Sequence, residues 1–335
     1  MANEHRRREP LPGVFRLVLP LPFPGLDRVN AYLLAGEGAA TLVDCGIWDP
    51  AQEDGGYGHL EAALKATGHE AADIGTLVVT HPHIDHYGMA AALRNATGCE
   101  LWMHERSPEE LRLYEEPEQV AAEVRTLLTD HGVSAEDAAE LTEFEDWRGY
   151  LSGLVRPGRL LSDEDRFEVG GRSWRVVHTP GHDAAHVCLW SNGDRALISG
   201  DTLLGSVTPH IDFRRGDGNP LGEYLASLAR IERLDPAVVL PGHGRPFDEG
   251  ADRARAIARH HDRRLGAITQ VIRSEPHSAS EITNAIFGGA LLNFQRRLAL
   301  GEALAHLAYL RLNGEIERLR ADDGPYLYRK RSRGR

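Results

Sequence analysis

Thr80-His81-Pro82-His83-Ile84-Asp85-His86 places three imidazoles and one carboxylate within positions 81 to 86. The run before it, Thr76 to Val79, is short, β-branched and preceded by Gly75, and reads as a buried strand. Gly88 to Thr97 reads as a helix. The cluster therefore sits on a loop leaving the C-terminal end of a strand, where α/β layers bind ligands. Neutral imidazole with carboxylate suits zinc, iron or manganese, and the spacing can serve two metals at once. The alternative is a solvated histidine-rich turn.

Three further segments extend the pattern. His182 follows the strand Trp174 to Val177 in His178-Thr179-Pro180-Gly181-His182. Asp201 follows Gly200 after the strand Ala196 to Ser199, and His243 follows Val238 to Leu240 in Pro241-Gly242-His243-Gly244. Each candidate ligand comes directly after an apolar strand, so all can converge on one edge of the sheets. Gly200, Gly242 and Gly244 let the backbone turn sharply and leave room for a metal.

These ordered segments resemble the metallo-β-lactamase superfamily: its H-x-H-x-D-H signature, its T-P-G-H and G-D segments and its final P-G-H-G. Asp44, in Val43-Asp44-Cys45-Gly46, matches the family's early supporting aspartate. The resemblance covers roughly residues 14 to 250. It implies an α+β architecture, an αββα sandwich with a two-metal site on one edge. Carried over by position, His81, His83 and His182 hold the first metal, Asp85, His86 and His243 the second, and Asp201 bridges them. The implied cofactors are two Zn2+ ions, with iron or manganese as alternatives. Two cations about 3.5–4 Å apart share a water and lower its pKa towards neutrality. The implied reaction is hydrolysis by that hydroxide, with Asp85 orienting it and shuttling its proton. A di-iron branch of the family replaces one histidine by a carboxylate; His83 and His86 are both present here, which favours hydrolysis.

Organisation along the chain is consistent with this reading. Strand patterns at Val14–Leu19, Asn30–Leu34 and Ala40–Asp44 precede a helix at Leu60–Thr67. Residues 107 to 153, rich in Glu, Asp, Leu and Ala, read as a helical insertion: a lid, a dimer surface or an elaborated connection. The strand rhythm resumes at Phe167–Val169, Trp174–His178, His186–Trp190 and Arg195–Ser199. A helix at Leu221–Arg233 and a strand at Ala237–Leu240 follow. The expected division is a catalytic domain over 1–251 and a C-terminal domain over 252–335. The latter carries helices at Arg253–Ser274, Ser278–Phe287 and Leu292–Leu312, then a hairpin turning at Ala321-Asp322-Asp323-Gly324, a winged-helix-like unit of about 80 residues. Its segments Ser278-Ala279-Ser280-Glu281-Ile282, Glu302-Ala303-Leu304-Ala305-His306-Leu307 and Gly314-Glu315-Ile316 resemble the beta-lactamase-2-like and glyoxalase II-like branch with a C-terminal winged helix, whose members include a single-strand endoribonuclease.

Individual residues carry paired readings. His186 contacts substrate, supports a ligand or is structural; His178 caps or packs; His104 borders the site or is structural. Tyr87 supplies a phenol to the pocket or packs, and Tyr224 belongs to the core. His210, Asp212, Arg214 and Arg215, in the loop Thr202 to Pro220, shape substrate access or form a solvated loop.

Composition narrows the functional classes. At 335 residues the chain has 41% hydrophobic and 26% charged residues and a net charge of −12. The acidic balance argues against a general nucleic-acid binder, although Arg6-Arg7-Arg8 and Arg329 to Arg335 are locally basic and read as solvated termini. Three isolated cysteines, Cys45, Cys99 and Cys188, fit a reducing compartment, and no stretch reaches membrane-span length. The expectation is a cytoplasmic hydrolase of a small-molecule thioester or lactone, with no membrane partner and a homodimer as the default assembly. The alternative is an endoribonuclease or phosphodiesterase acting on single-stranded nucleic acid. A non-enzymatic scaffold is disfavoured by the intact ligand set, and the mostly apolar Leu292–Leu312 reads as a packing helix rather than one that reads DNA.

Overall fold

Several strand segments of this chain are apolar on both faces, and the computed structural model shows why. It describes residues 8–23, 25–143, 146–213, 218–288, 291–320 and 324–331. Arg6, Arg7, Arg214, Arg215, Ala321 to Asp323 and residues 332–335 lie outside the described residues. Strands β1 (Val14–Phe23), β2 (Leu26–Leu34), β3 (Ala40–Val43), β4 (Ile74–Val78), β5 (Glu100–His104) and β6 (Arg159–Leu161) form one sheet in that order. It is antiparallel from β1 to β3 and parallel from β3 to β6. Strands β7 (Arg166–Val169), β8 (Arg172–His178), β9 (Val187–Ser191), β10 (Ala196–Gly200) and β11 (Val238–Pro241) form a second, ordered β11-β10-β9-β8-β7. Only its β10–β11 pair is parallel.

Side chains alternate along each strand. Tyr32, Leu34, Val43 and Val78 from the first sheet meet Trp174, Val176, Val187, Leu189, Ile198 and Leu240 from the second in one buried layer. Their neighbours Leu33, Leu42, Leu77, Val177, Cys188, Leu197 and Val239 face outwards into a second apolar layer. Helices cover those outer faces: Tyr57–Lys65 and Ala90–Thr97 lie on the first sheet, and Gly250 at the start of Gly250–Val271 packs on Val239 of the second. Helix Pro220–Leu234, burying Leu221, Tyr224, Leu228 and Ile231, joins that layer. Each fully buried aliphatic side chain here contributes about 1.5–3 kcal/mol. The result is helix, sheet, sheet, helix, as the motif resemblance implies.

The two sheets are pinned together at one edge. Asn30 N donates to Gly242 O at 2.7 Å, and Asn30 Nδ2 donates to Pro241 O at 2.7 Å. Tyr32 Oη donates to Pro241 O at 2.9 Å, and Val187 N donates to Thr80 O at 2.9 Å. The C-terminal ends of β4, β8, β10 and β11 meet along this edge.

The expected insertion is helical, with Ser107–Glu110, Arg112–Glu115, Pro117–Asp130 and Ala135–Leu141. On one side Ser152 N of this stretch donates to Gly88 O at 2.8 Å. Tyr87 is fully buried, and its hydroxyl donates to Val155 O at 2.7 Å while accepting from Val155 N at 2.6 Å. A pocket role for that phenol is therefore corrected to a structural one. On its other side Asp137 pairs with Arg296 at 2.8 Å, and His131 lies 2.9 Å from Tyr328 Oη.

The C-terminal part has helices Gly250–Val271, Ala279–Phe287 and Asn293–Leu312. Strands β12 (His277–Ser278), β13 (Ile316–Arg320) and β14 (Tyr326–Lys330) form a sheet ordered β12-β14-β13. Ser278 starts the middle helix as expected: its Oγ accepts from Glu281 N, and the Glu281 carboxylate accepts from Ser278 N at 2.8 Å. Helix Gly250–Val271 runs through the expected domain boundary. Among the described residues no helix is long and apolar enough to cross a membrane.

Candidate metal centre

The seven ordered candidates come together. Asp44, just after β3, turns the chain with φ of 60°, a left-handed conformation that Asp tolerates better than most residues. Its carboxylate accepts from Thr80 N at 2.7 Å and Thr80 Oγ1 at 2.9 Å, and faces His86 Nδ1 at 2.8 Å. It thereby fixes both ends of the Thr80–His86 segment. Ile84–Tyr87 forms one helical turn, which presents Asp85 and His86 side by side.

One trio is made of nitrogens. His83 Nδ1 lies 3.0 Å from His81 Nε2 and 3.1 Å from His182 Nε2. His182 Nδ1 is held by the His210 carbonyl at 2.7 Å, and His81 Nδ1 by Thr80 Oγ1 at 3.0 Å. A carbonyl only accepts, so the proton of neutral His182 sits on Nδ1 and its Nε2 lone pair faces the trio. Burial, reinforced by neighbouring imidazoles, keeps the His81 pKa well below the usual histidine range, and burial lowers that of His182. Neutral imidazoles are what a metal needs.

The second trio carries charge. His243 Nε2 lies 3.1 Å from Asp85 Oδ2 and 3.3 Å from Asp201 Oδ2, and His86 Nε2 lies 3.5 Å from Asp201 Oδ1. His243 Nδ1 is held by the Arg28 carbonyl at 2.8 Å. Burial opposes charge here but loses to the partners. Asp85 and the other carboxylates raise His86 well above its usual range, and Asp201 and Asp85 raise His243 to about 10. The facing histidines hold Asp85 at about 2 and Asp201 well below the carboxylate range. This half of the site attracts positive charge, and a bound cation displaces those protons.

Asp201 lies between the trios, 3.9 Å from His182 Nε2 through Oδ2. Its backbone N donates to His186 Nε2 at 3.0 Å, while His186 Nδ1 lies 2.9 Å from both Thr179 and Thr202 Oγ1. His186 is thus a support for Asp201. His178 and His104 stack with ring centroids 3.9 Å apart, and Tyr224 is fully buried, so all three are structural.

The donor set fits cations. His86 Nε2 and Asp201 Oδ1 are buried 3.5 Å apart without a well-formed hydrogen bond, which would cost about 1–3 kcal/mol for each group left so. His81, His83 and His182 can hold one ion; Asp85, His86 and His243 can hold another; His81, His86 and Asp201 also lie within reach of one ion. A Cβ at Gly242 would meet Asp201 Oδ1 at 2.3 Å, so only glycine leaves that carboxylate in place. A groove of about 770 Å³ near Arg172, Arg175 and Trp190 lies at the opposite ends of these strands. Its Arg172 and Arg175 are paired with Asp194 and Glu164, and it is not part of this site.

Some supports were not legible in the sequence. The carbonyls of Arg28 and His210 orient two ligands, and Tyr114 Oη donates to Pro82 O at 2.7 Å within the motif. Backbone carbonyls leave no residue-type signal.

The family model described as Metallo-beta-lactamase superfamily matches residues 24–243. The chain belongs to that superfamily. Residues 265–331 match the Metallo-beta-lactamase-like, C-terminal domain. A metallo-β-lactamase family protein from Thermus thermophilus is 32% identical, with a TM-score of 0.79 over 96% of this chain and 99% of its own. A beta-lactamase-like protein 2 homolog of Drosophila melanogaster is 26% identical over 92% of this chain and 90% of its own. An acyl-coenzyme A thioesterase, MBLAC2 of Gallus gallus, is 27% identical over 77% of this chain and 88% of its own. The superfamily, the layered fold and the additional C-terminal domain thus agree with the motif reading.

Proposed function

We propose that the chain is a hydrolase with a two-cation centre that cleaves a small-molecule ester-type bond, a thioester ahead of a lactone. The convergence of two ligand trios around Asp201 at one sheet edge carries this reading. Zinc suits the histidine-rich set best, and iron or manganese are alternatives. When bound, two such cations supply an activated water and polarise the scissile carbonyl.

The chain's own groups do the rest. His81, His83 and His182 would hold one ion and Asp85, His86 and His243 the other, with Asp201 beside both trios. Asp85, beside His243, is placed to orient the water and carry its proton to the leaving group. Asp44 holds His86 by its far nitrogen, which fixes the ring and raises its basicity. We further read residues 1–251 as the catalytic domain and 252–335 as a winged-helix-like domain.

The thioester preference is supported by the avian relative named an acyl-coenzyme A thioesterase. The net charge of −12 and the burial of Arg297 within helix Asn293–Leu312 weigh against the single-stranded nucleic-acid alternative. The test is a panel of acyl-CoA thioesters, lactones and single-stranded RNA, each with and without chelator. Chelator-sensitive thioester hydrolysis is expected. Chelator-sensitive RNA cleavage without thioester or lactone turnover would overturn the substrate assignment.

A further inference from the structure

The described part of the loop after Asp201, residues 202–213, is held from the C-terminal helices. Arg253 donates through Nε to Leu204 O and through Nη2 to Val207 O, both at 2.6 Å. Arg297 forks onto Asp212 at 3.2 and 3.3 Å, and both side chains are buried. Glu302 Oε2 lies 3.5 Å from His210 Nδ1, while its Oε1 accepts from Arg264. The helix reaches the loop at Gly301, where a Cβ would stand 1.9 Å from Asp212 Oδ1.

Glu302 is itself braced. Its backbone carbonyl accepts from His306 Nδ1 at 2.7 Å, and His306 Nε2 lies 3.1 Å from His261 Nδ1. The spacing of His261, Glu302 and His306 would suit a metal. Arg264, however, already occupies the carboxylate, and its fixed charge repels a cation. His306 therefore braces Glu302, and His261 backs His306. Between the two clamped residues, the loop delivers the His210 carbonyl to His182 Nδ1 at 2.7 Å.

We propose that Glu302 and Arg297 are positioning residues of the metal centre, fixing the His210–Asp212 turn so that the His210 carbonyl aims His182 at His81 and His83. The C-terminal domain is then a working part of the centre and not an appendage. This inference rests on the reading of His81, His83 and His182 as metal ligands. Glu302→Gln weakens the hold on His210 without changing shape, and Arg297→Lys keeps the charge but loses the fork.

The test uses the full chain loaded with Co2+, with stepwise affinities from competition with a chromophoric chelator and the cobalt absorption spectrum as second readout. Each variant is expected to weaken one of two metal equivalents about 10–100-fold and shift its spectrum, sparing the other. Ser278→Ala, which removes the cap of helix Ala279–Phe287, is the control: it should lower Tm and leave both affinities intact. Wild-type affinities and spectrum in whichever of Glu302→Gln and Arg297→Lys folds would overturn the proposal. So would equal weakening in Ser278→Ala, which would mark a general effect of domain stability. Wild-type protein that binds no Co2+ would overturn the ligand reading itself and, with it, this one.

Discussion

The Asp85→Asn variant is expected to fold, to retain the cation of the all-histidine trio, and to lose hydrolysis by about 10²–10⁴-fold. Asp85 is one carboxylate doing two things. It faces His243 Nε2 at 3.1 Å as part of the charged trio, and its neighbours hold it ionised to about pH 2. The carboxamide keeps the volume and one ligating oxygen but lacks the charge and cannot take up a proton. His81, His83 and His182 are not supported by Asp85, so their metal should remain. The loss should fall on kcat more than on KM, because the group acts in the transition state. Retained kcat in a folded, metal-loaded variant would remove Asp85 from the chemistry.

Asp44→Asn tests how the ligands are held. Asn tolerates the φ of 60° as Asp does, so the backbone can stay. The hydrogen bonding cannot. Asp44 accepts from Thr80 N and Thr80 Oγ1 and faces His86 Nδ1, all buried, and a carboxamide must turn its NH2 towards one of them. The expected cost is about 1–3 kcal/mol of stability from an unsatisfied buried donor. Losing the anion behind His86 should also weaken the metal of the charged trio by about 10–100-fold. Denaturant titration and competitive chelation check the two effects separately. Unchanged metal affinity would make Asp44 a turn residue only.

Much of the site was readable because its chemistry sits on punctuated strands. Each ligand segment follows a short apolar run, so the residue types and their order convey both the strand and its end. The layering was readable for the same reason: runs such as Val187 to Trp190 are apolar on both faces and demand cover on each. Short pairings escaped. Arg159–Leu161 and His277–Ser278 are three and two residues long, too short for a period, and exist through their neighbours. Tyr87 could not be placed from sequence because its partner, Val155, lies 68 residues away. The Arg297–Asp212 clamp joins residues 85 apart, and nothing local in either segment announces it.

Metal content tests the central claim most directly. Protein reconstituted with Zn2+ and dialysed against metal-free buffer should hold about two equivalents per chain by elemental analysis, and His182→Ala should hold about one. A wild-type value below about one equivalent, or a His182→Ala value equal to wild type, would contradict a two-cation centre built from these residues.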